Sequence, residues 1–232
     1  MQRTSFYSSK EYHVLRDAAT GATSGISTSE IYDAVIQRVK ALAKSGKALD
    51  VGAGIGILCN RLIETNQFEL VVGADFLPLH KNLKGVPWVC CDLNFDLPFM
   101  EGVFDLVTCV EVLEHMENPW DLARKLRSMV KEGGTLLLTT PNNESLRSYL
   151  SYLLRGYYPL FPPSCYPTHL TPFLRVDLTR LLKAAGFSDV VIRYTNQGAI
   201  PKMKKLRWQN LDGGHLFKGR LFSDSYLVEA RA

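Results

Sequence analysis

Apolar positions along this chain follow two alternating rhythms. Between 28 and 44, Ile31, Val35, Val39 and Leu42 recur at helical spacing behind Ser27, Thr28 and Ser29, residue types that cap a helix start. From 47 onward, short and nearly continuous apolar runs alternate with amphipathic stretches. The runs at 47–51, 69–74, 86–91, 103–110, 135–140, 189–194 and 224–231 predict strands. The stretches at 55–65, 119–131 and 175–185 predict helices, with a short irregular helix at 78–83. The helix at 119–131 is marked at both ends: Asn118 as N-cap, Pro119 at the first helical position, Asp121 in the first turn, and Gly133 and Gly134 as its stop. Strands that are apolar at almost every position are buried on both faces. The pattern therefore predicts an α/β fold, a doubly wound, mainly parallel seven-stranded sheet with helices on both faces.

Two segments break the rhythm. Residues 1–26 are polar, and with the helix that follows they form an N-terminal helical cap over 1–45, ahead of a larger domain at 46–232. Residues 141–175 are rich in proline and aromatic side chains, among them Tyr149, Tyr152, Tyr157, Tyr158, Phe161, Tyr166 and Phe173. An insertion of that length within an α/β unit is more often functional than idle, and it reads as a lid over a ligand crevice. There is no internal repeat and no low-complexity tract.

Composition narrows the class. A chain of 232 residues with 46% apolar and 22% charged positions has the makings of one globular domain with appendages. A net charge of +4 makes no argument for nucleic acid. The late basic residues Lys202, Lys204, Lys205, Arg207, Lys218 and Arg220 read as a solvated loop, with a basic surface for an anionic substrate as the alternative. The cysteines at 59, 90, 91, 109 and 165 include no C-x-x-C pair, so no metal or disulfide framework is expected, and Cys90 and Cys91 read as small hydrophobes in a strand. With no signal-peptide apolar region and no membrane-length run, the expected setting is cytoplasmic, without membrane insertion.

The chemistry begins at 48–56, Ala-Leu-Asp-Val-Gly-Ala-Gly-Ile-Gly. A strand reaches Asp50 and breaks into Gly52, Gly54 and Gly56, a nucleotide-binding turn. A dinucleotide fingerprint needs its third glycine at 57, where Ile57 stands. Asp50 would also repel a pyrophosphate, whereas it suits a phosphate-free ligand with a cationic amino-acid end. S-adenosylmethionine has that character. Each further strand end carries an acid as well: Asp75, Asp92 and Glu111.

With these residues in place, the chain resembles the class I S-adenosylmethionine-dependent methyltransferases over roughly 45–195 plus the final strand. The resemblance rests on Leu49 to Gly56, Gly73-Ala74-Asp75, Cys91-Asp92-Leu93, Phe104-Asp105-Leu106-Val107, Glu111-Val112-Leu113-Glu114-His115 and Gly133-Gly134-Thr135-Leu136. It implies an antiparallel last strand at 224–231 and a set of roles. Gly52, Ala53, Gly54 and Gly56 pass under the methionine part of the cofactor. Asp50 fixes that loop and faces the amino-acid end. Asp75 accepts from both ribose hydroxyls, Phe76 and Leu77 flank the adenine, and Asp92 with Leu93 reads its amino edge. Val110 and Glu111 close the site beside the sulfonium, while Asp105, inside a strand, is structural.

Methyl transfer from a sulfonium needs a base only when the acceptor must lose a proton. His115 and His169 are the candidates. Glu111, Glu114 and His115 also resemble the Glu-x-x-Glu-His element of ubiquinone-type O-methyltransferases and of small-RNA 2′-O-methyltransferases. There it can hold a divalent ion, here magnesium or manganese with His169 as a further ligand. Asp96-Leu97-Pro98-Phe99 and Thr140-Pro141-Asn142 resemble the small-molecule branch, and no Asn-Pro-Pro-Tyr-type element follows strand four. The expectation is therefore O-methylation of a small molecule or a sugar-containing metabolite. The alternatives are ribose methylation of RNA and a non-catalytic cofactor-binding partner subunit.

Overall fold

The central strand β1, Gly46–Val51, lies between β2, Phe68–Asp75, and β4, Phe104–Val110, parallel to both. The computed structural model describes residues 11, 14 and 25–232, apart from 80–82, 84, 96, 167, 202, 212 and 214, and leaves the side chains of Lys204 and Lys205 undescribed. The other elements are α1 (Ser29–Leu42), α2 (Ile57–Glu64), β3 (Trp88–Cys90), α3 (Pro119–Met129), β5 (Val130–Pro141), α4 (Leu146–Arg155), α5 (Arg175–Ala184), β6 (Ser188–Tyr194), the small hairpin β7 (Ala199–Ile200) and β8 (Met203–Arg207), and β9 (Ser225–Arg231). The main sheet has the order β3-β2-β1-β4-β5-β9-β6. β9 inserts between β5 and β6 and runs antiparallel to both. The predicted fold class, including the antiparallel last strand, is thus what the chain adopts.

Successive side chains of a strand point to opposite faces, and each face here is apolar. Leu49, Val107, Leu136 and Leu138 pack with Leu122 and Leu126 of α3 and Leu178 and Leu182 of α5. Their neighbours Ala48, Leu106 and Leu137 pack with Val35 and Val39 of α1 and Leu58 and Leu62 of α2. Burying one such leucine contributes about 1.5–3 kcal/mol. Val35 and Val39 are fully buried, and Arg38 of α1 donates to the buried Glu229 of β9 at 2.7 Å. The helix expected in a cap over 1–45 is therefore also a layer of the core.

Several local expectations are corrected. Asn118 does cap α3, its Oδ1 accepting from the Asp121 amide at 3.1 Å, but the helix stops at Met129, not at Gly133 and Gly134. Val130, buried and β-branched, already pairs with Phe104 as the first residue of β5. Strand pairing outweighs the glycine stop, and the glycines fall where the β5 register slips. The insertion at 141–175 holds α4, capped by Ser145, whose Oγ accepts from the Ser148 amide at 3.1 Å. Neither α4 nor the β7–β8 hairpin was predicted. Cys90 is exposed because β3 is an edge strand. The helix expected at 78–83 falls largely outside the described residues, and Pro78, Leu79 and Leu83 are not helical. Most of the polar segment 1–26 lies outside them as well. Among the described residues, no helix is long and apolar enough to cross a membrane.

Candidate active site

Winding reverses at β1: β2 and β3 lie to one side, β4 and β5 to the other. A crevice must open beyond the carboxyl ends of β1 and β4 at such a switch point. A cavity of about 660 Å³ fills it. The four acids expected at strand ends, Asp50, Asp75, Asp92 and Glu111, all border this cavity.

The glycine loop and the first two acids hold each other. Asp75 Oδ2 accepts from the Gly54 amide and Oδ1 from the Leu77 amide, both at 2.8 Å. The Phe76 amide also bonds this carboxylate, which, with about four lone-pair sites, keeps capacity for a further donor. Burial pulls the Asp75 pKa up against the amides of Leu77, Gly54 and Phe76. Asp50 Oδ1 accepts from Thr108 Oγ1 at 2.7 Å, which ties β1 to β4, and burial pushes its pKa up to about 7. Gly52, Ala53, Phe76, Leu77, Leu93 and Val110 also line the cavity, whereas Gly54 and Gly56 lie behind it. Gly54 has φ +56°, and a Cβ there would overlap the Gly25 carbonyl. The segment ahead of α1 therefore crosses directly over the loop, and only a residue without a side chain fits beneath it. Asp92 Oδ1 accepts from the Asn94 amide at 3.0 Å in the turn after β3. Asp105 is structural as expected, accepting from the Lys47 amide at 2.9 Å and pairing with Lys131 at 3.2 Å.

Glu111 ends β4 in the left-handed region, at φ +54°. A non-glycine residue held there stores about 1–3 kcal/mol and marks a constrained site. Its amide donates to the Thr139 carbonyl at 3.0 Å, and the Oε1 of its side chain is buried without a hydrogen-bond partner among the described residues. Burial, and then the Glu114 charge, push its pKa well up. Glu114 is completely buried; its Oε2 accepts from Thr140 at 2.9 Å, while its Oε1 has no hydrogen-bond partner among the described residues. Burial raises its pKa to about 7. The Glu114 carbonyl accepts from the amides of Leu170 and Thr171 at 2.8 and 3.2 Å. That clasp ties the turn after β4 to the insertion and sets His169 beside His115, ring centroids 4.7 Å apart.

Both imidazoles are oriented by backbone. His115 Nδ1 lies 2.5 Å from the Thr168 carbonyl, and His169 Nδ1 lies 2.5 Å from the Leu160 carbonyl. Facing an acceptor, each Nδ1 carries the proton when the ring is neutral, which leaves the lone pair on Nε2; that of His115 stands 4.0 Å from Glu114 Oε1. Burial lowers both pKa values, which keeps the rings neutral; the Thr168 and Glu111 carbonyls oppose it at His115, and the His115 ring assists it at His169. One ligand atom from each of Glu114, His115 and His169 lies within 4.8 Å of the others. Glu111, expected in the same set, is not part of that group.

The insertion reaches the cavity through Arg147, Leu160, Thr168, His169 and Leu170, not through its tyrosines and phenylalanines. Tyr149, Tyr152 and Tyr166 are exposed, and Phe173 is in the core. The solvated-loop reading of the basic residues also fails at Arg207, which lines the cavity, although Lys218 and Arg220 are exposed. Arg147, Thr195, Gln197, Asp224 and Ser225 were missed altogether. No motif marks them, because they meet only through the path of β9.

A family described as a methyltransferase domain matches residues 27–192. The chain belongs to this family. The methyltransferase domain is 33% identical over 123 residues to the ubiquinone biosynthesis O-methyltransferase of Chromobacterium violaceum, covering 49% of this chain and 52% of that protein. It is 32% identical over 153 residues to the mitochondrial ubiquinone biosynthesis O-methyltransferase of Schizosaccharomyces pombe, covering 59% and 53%. The chain spans about half the length of these curated relatives. Among solved structures, the Burkholderia thailandensis 1,6-didemethyltoxoflavin-N1-methyltransferase, crystallised with 1,6-didemethyltoxoflavin and S-adenosylhomocysteine, superposes with a TM-score of 0.64. That match covers 99% of this chain and 92% of the other at 14% identity, a likeness of fold.

Proposed function

We propose that this domain binds S-adenosylmethionine in the cavity beyond β1 and β4 and transfers its methyl group to an oxygen of a small molecule. The carrying observation is the floor: a glycine turn whose amide is held by a buried carboxylate, with a second buried carboxylate beside it. Such a floor suits a cationic, phosphate-free adenosine derivative and opposes a diphosphate. The volume suits a nucleoside with an acceptor beside it. When bound, S-adenosylmethionine supplies a methyl on a sulfonium, an already activated leaving group.

The chain's own residues bind and orient. Asp75, a buried carboxylate at the cavity wall, takes the ribose hydroxyls. Phe76, Leu77, Asp92 and Leu93 surround the adenine. Gly52, Ala53 and Asp50 face the amino-acid end, with Gly54 and Gly56 shaping the turn behind them, and Val110 and Glu111 border the methyl. Nε2 of His115 or His169 takes the proton from the acceptor hydroxyl. The O-methyltransferase relatives and the two neutral imidazoles support oxygen as the acceptor atom. Among the described residues of the late cluster, Arg207 borders the cavity while Lys218 and Arg220 are exposed elsewhere, which gives ribose methylation of RNA less support.

Glu114, His115 and His169 also have the donor chemistry for a divalent ion, and the unpartnered buried Glu114 Oε1 fits one. Two imidazoles with one carboxylate favour manganese over magnesium. An ion there would acidify a hydroxyl that binds it.

The test is thermal unfolding with S-adenosylhomocysteine and, separately, NAD. A ligand of the native state raises the midpoint, by about 2.7 kcal/mol of stability at a hundredfold excess over Kd. A rise with the homocysteine compound alone is expected. A rise with NAD alone overturns the reading.

A further inference from the structure

We propose that Arg147 and Arg207 form an oxyanion subsite at the acceptor end of the cavity, so that the molecule methylated carries a carboxylate or a phosphate. This rests on the methyltransferase reading above and specifies its substrate class.

The two arginines come from separate elements, Arg147 from the first turn of α4 and Arg207 from the end of β8. They converge on one atom. Arg147 Nη1 stands 3.4 Å and Arg207 Nη1 3.1 Å from Asp224 Oδ2. That oxygen also accepts the Ala199 amide at 2.9 Å. Three donors on one carboxylate oxygen leave each guanidinium poorly served, since each carries five N–H donors in a planar fork. Among the described residues, the one other carboxylate near the pair is Glu30, 3.4 Å from Arg207 Nη2. Its side chain is 38% exposed, and a half-solvated pair of that length is worth little. Both arginines border the cavity, as do Asp224 and Glu30.

The cluster also adjoins the reaction centre. Ser225, next in the chain to Asp224, bonds the Glu111 carboxyl, and the Asp224 charge reaches it. The two arginines hold Asp224, the chain neighbour of Ser225, and so are placed to orient a substrate in the cavity rather than to brace a distant surface. An incoming carboxylate or phosphate can meet the forks with two parallel N–H bonds, the strongest geometry available to arginine. It would take over donors that Asp224 shares and Glu30 holds weakly.

The experiment uses the full chain saturated with S-adenosylhomocysteine and three probes of matched shape: benzoate, phenyl phosphate and the neutral benzamide. Affinity is measured by calorimetry for the wild type, Arg147→Gln and Arg207→Gln; the first variant is included because Arg207 also reaches α1 through Glu30. The expected result is that one anion binds at least tenfold tighter than benzamide, and that each variant weakens it about tenfold or more. Benzamide and S-adenosylhomocysteine affinities should stay the same. Preference for benzoate assigns a carboxylate, and preference for phenyl phosphate assigns a phosphate. Equal affinity for all three probes, binding of none, or anion binding that survives both substitutions overturns the subsite while leaving the cofactor reading intact. Failure to bind S-adenosylhomocysteine overturns both.

Discussion

Replacing Asp50 with asparagine should change how stability depends on pH. The wild-type side chain is 2% exposed, and its Oδ1 accepts from Thr108 at 2.7 Å. Asparagine keeps a carbonyl oxygen for that bond and the same volume, but it cannot ionise. In the ligand-free protein, burial lifts the Asp50 pKa from 3.8 to about 7, opposed by the Thr108 and Cys59 contacts and assisted by the Asp75 charge. Unfolded, the carboxyl returns to about 3.9. The folded state therefore holds this proton more tightly. The stability it contributes is complete below about pH 4 and is lost as pH rises toward 7, ending about 4 kcal/mol lower. About 3 kcal/mol of that loss falls between pH 5 and 8. Glu114 and Glu111 give similar slopes to both proteins, so the difference between variant and wild type isolates Asp50. Asp50→Asn should gain about 3 kcal/mol relative to wild type across that range, or about 5–10 °C in Tm for a domain of this size. Thermal denaturation followed by circular dichroism at several pH values, without ligand, measures it. Parallel pH profiles for the two proteins would refute the burial argument.

Two further substitutions probe the glycine turn and the histidine cluster. Gly54→Ala forces a side chain into φ +56° and into the Gly25 backbone; it should cost about 1–3 kcal/mol of stability and weaken S-adenosylhomocysteine at least tenfold, and an unchanged Kd by calorimetry would show that the loop bears no relation to the ligand. Glu114→Gln removes the charge at the buried Oε1 and should weaken manganese binding about 10- to 100-fold, read from the free-ion paramagnetic resonance signal; wild type and variant binding alike, or neither binding, would remove the ion from the mechanism.

Local grammar explains what was legible. The turn at 52–56 needs glycine because all three glycines take positive φ and backbone crosses over Gly54, and that need is written in the residue types. Asn118 and Pro119 announce α3 because a cap acts over three residues. Alternating apolar runs place Asp50, Asp75, Asp92 and Glu111 at strand ends, and a parallel sheet gathers such ends in one crevice. The end of α3 was misread because Val130 obeys its partner in β4 rather than the glycines that follow it.

By itself, then, the order of residues determined the sheet, its glycine turn and its four acids, all of which depend on neighbours within a few positions. Only tertiary structure decided the acceptor end. His169 meets His115 because the Glu114 carbonyl clasps the insertion, and Arg147 meets Arg207 because β9 returns between β5 and β6 and carries Asp224 to them. Those contacts join residues some 50 to 80 positions apart, and no local rule of spacing reaches that far.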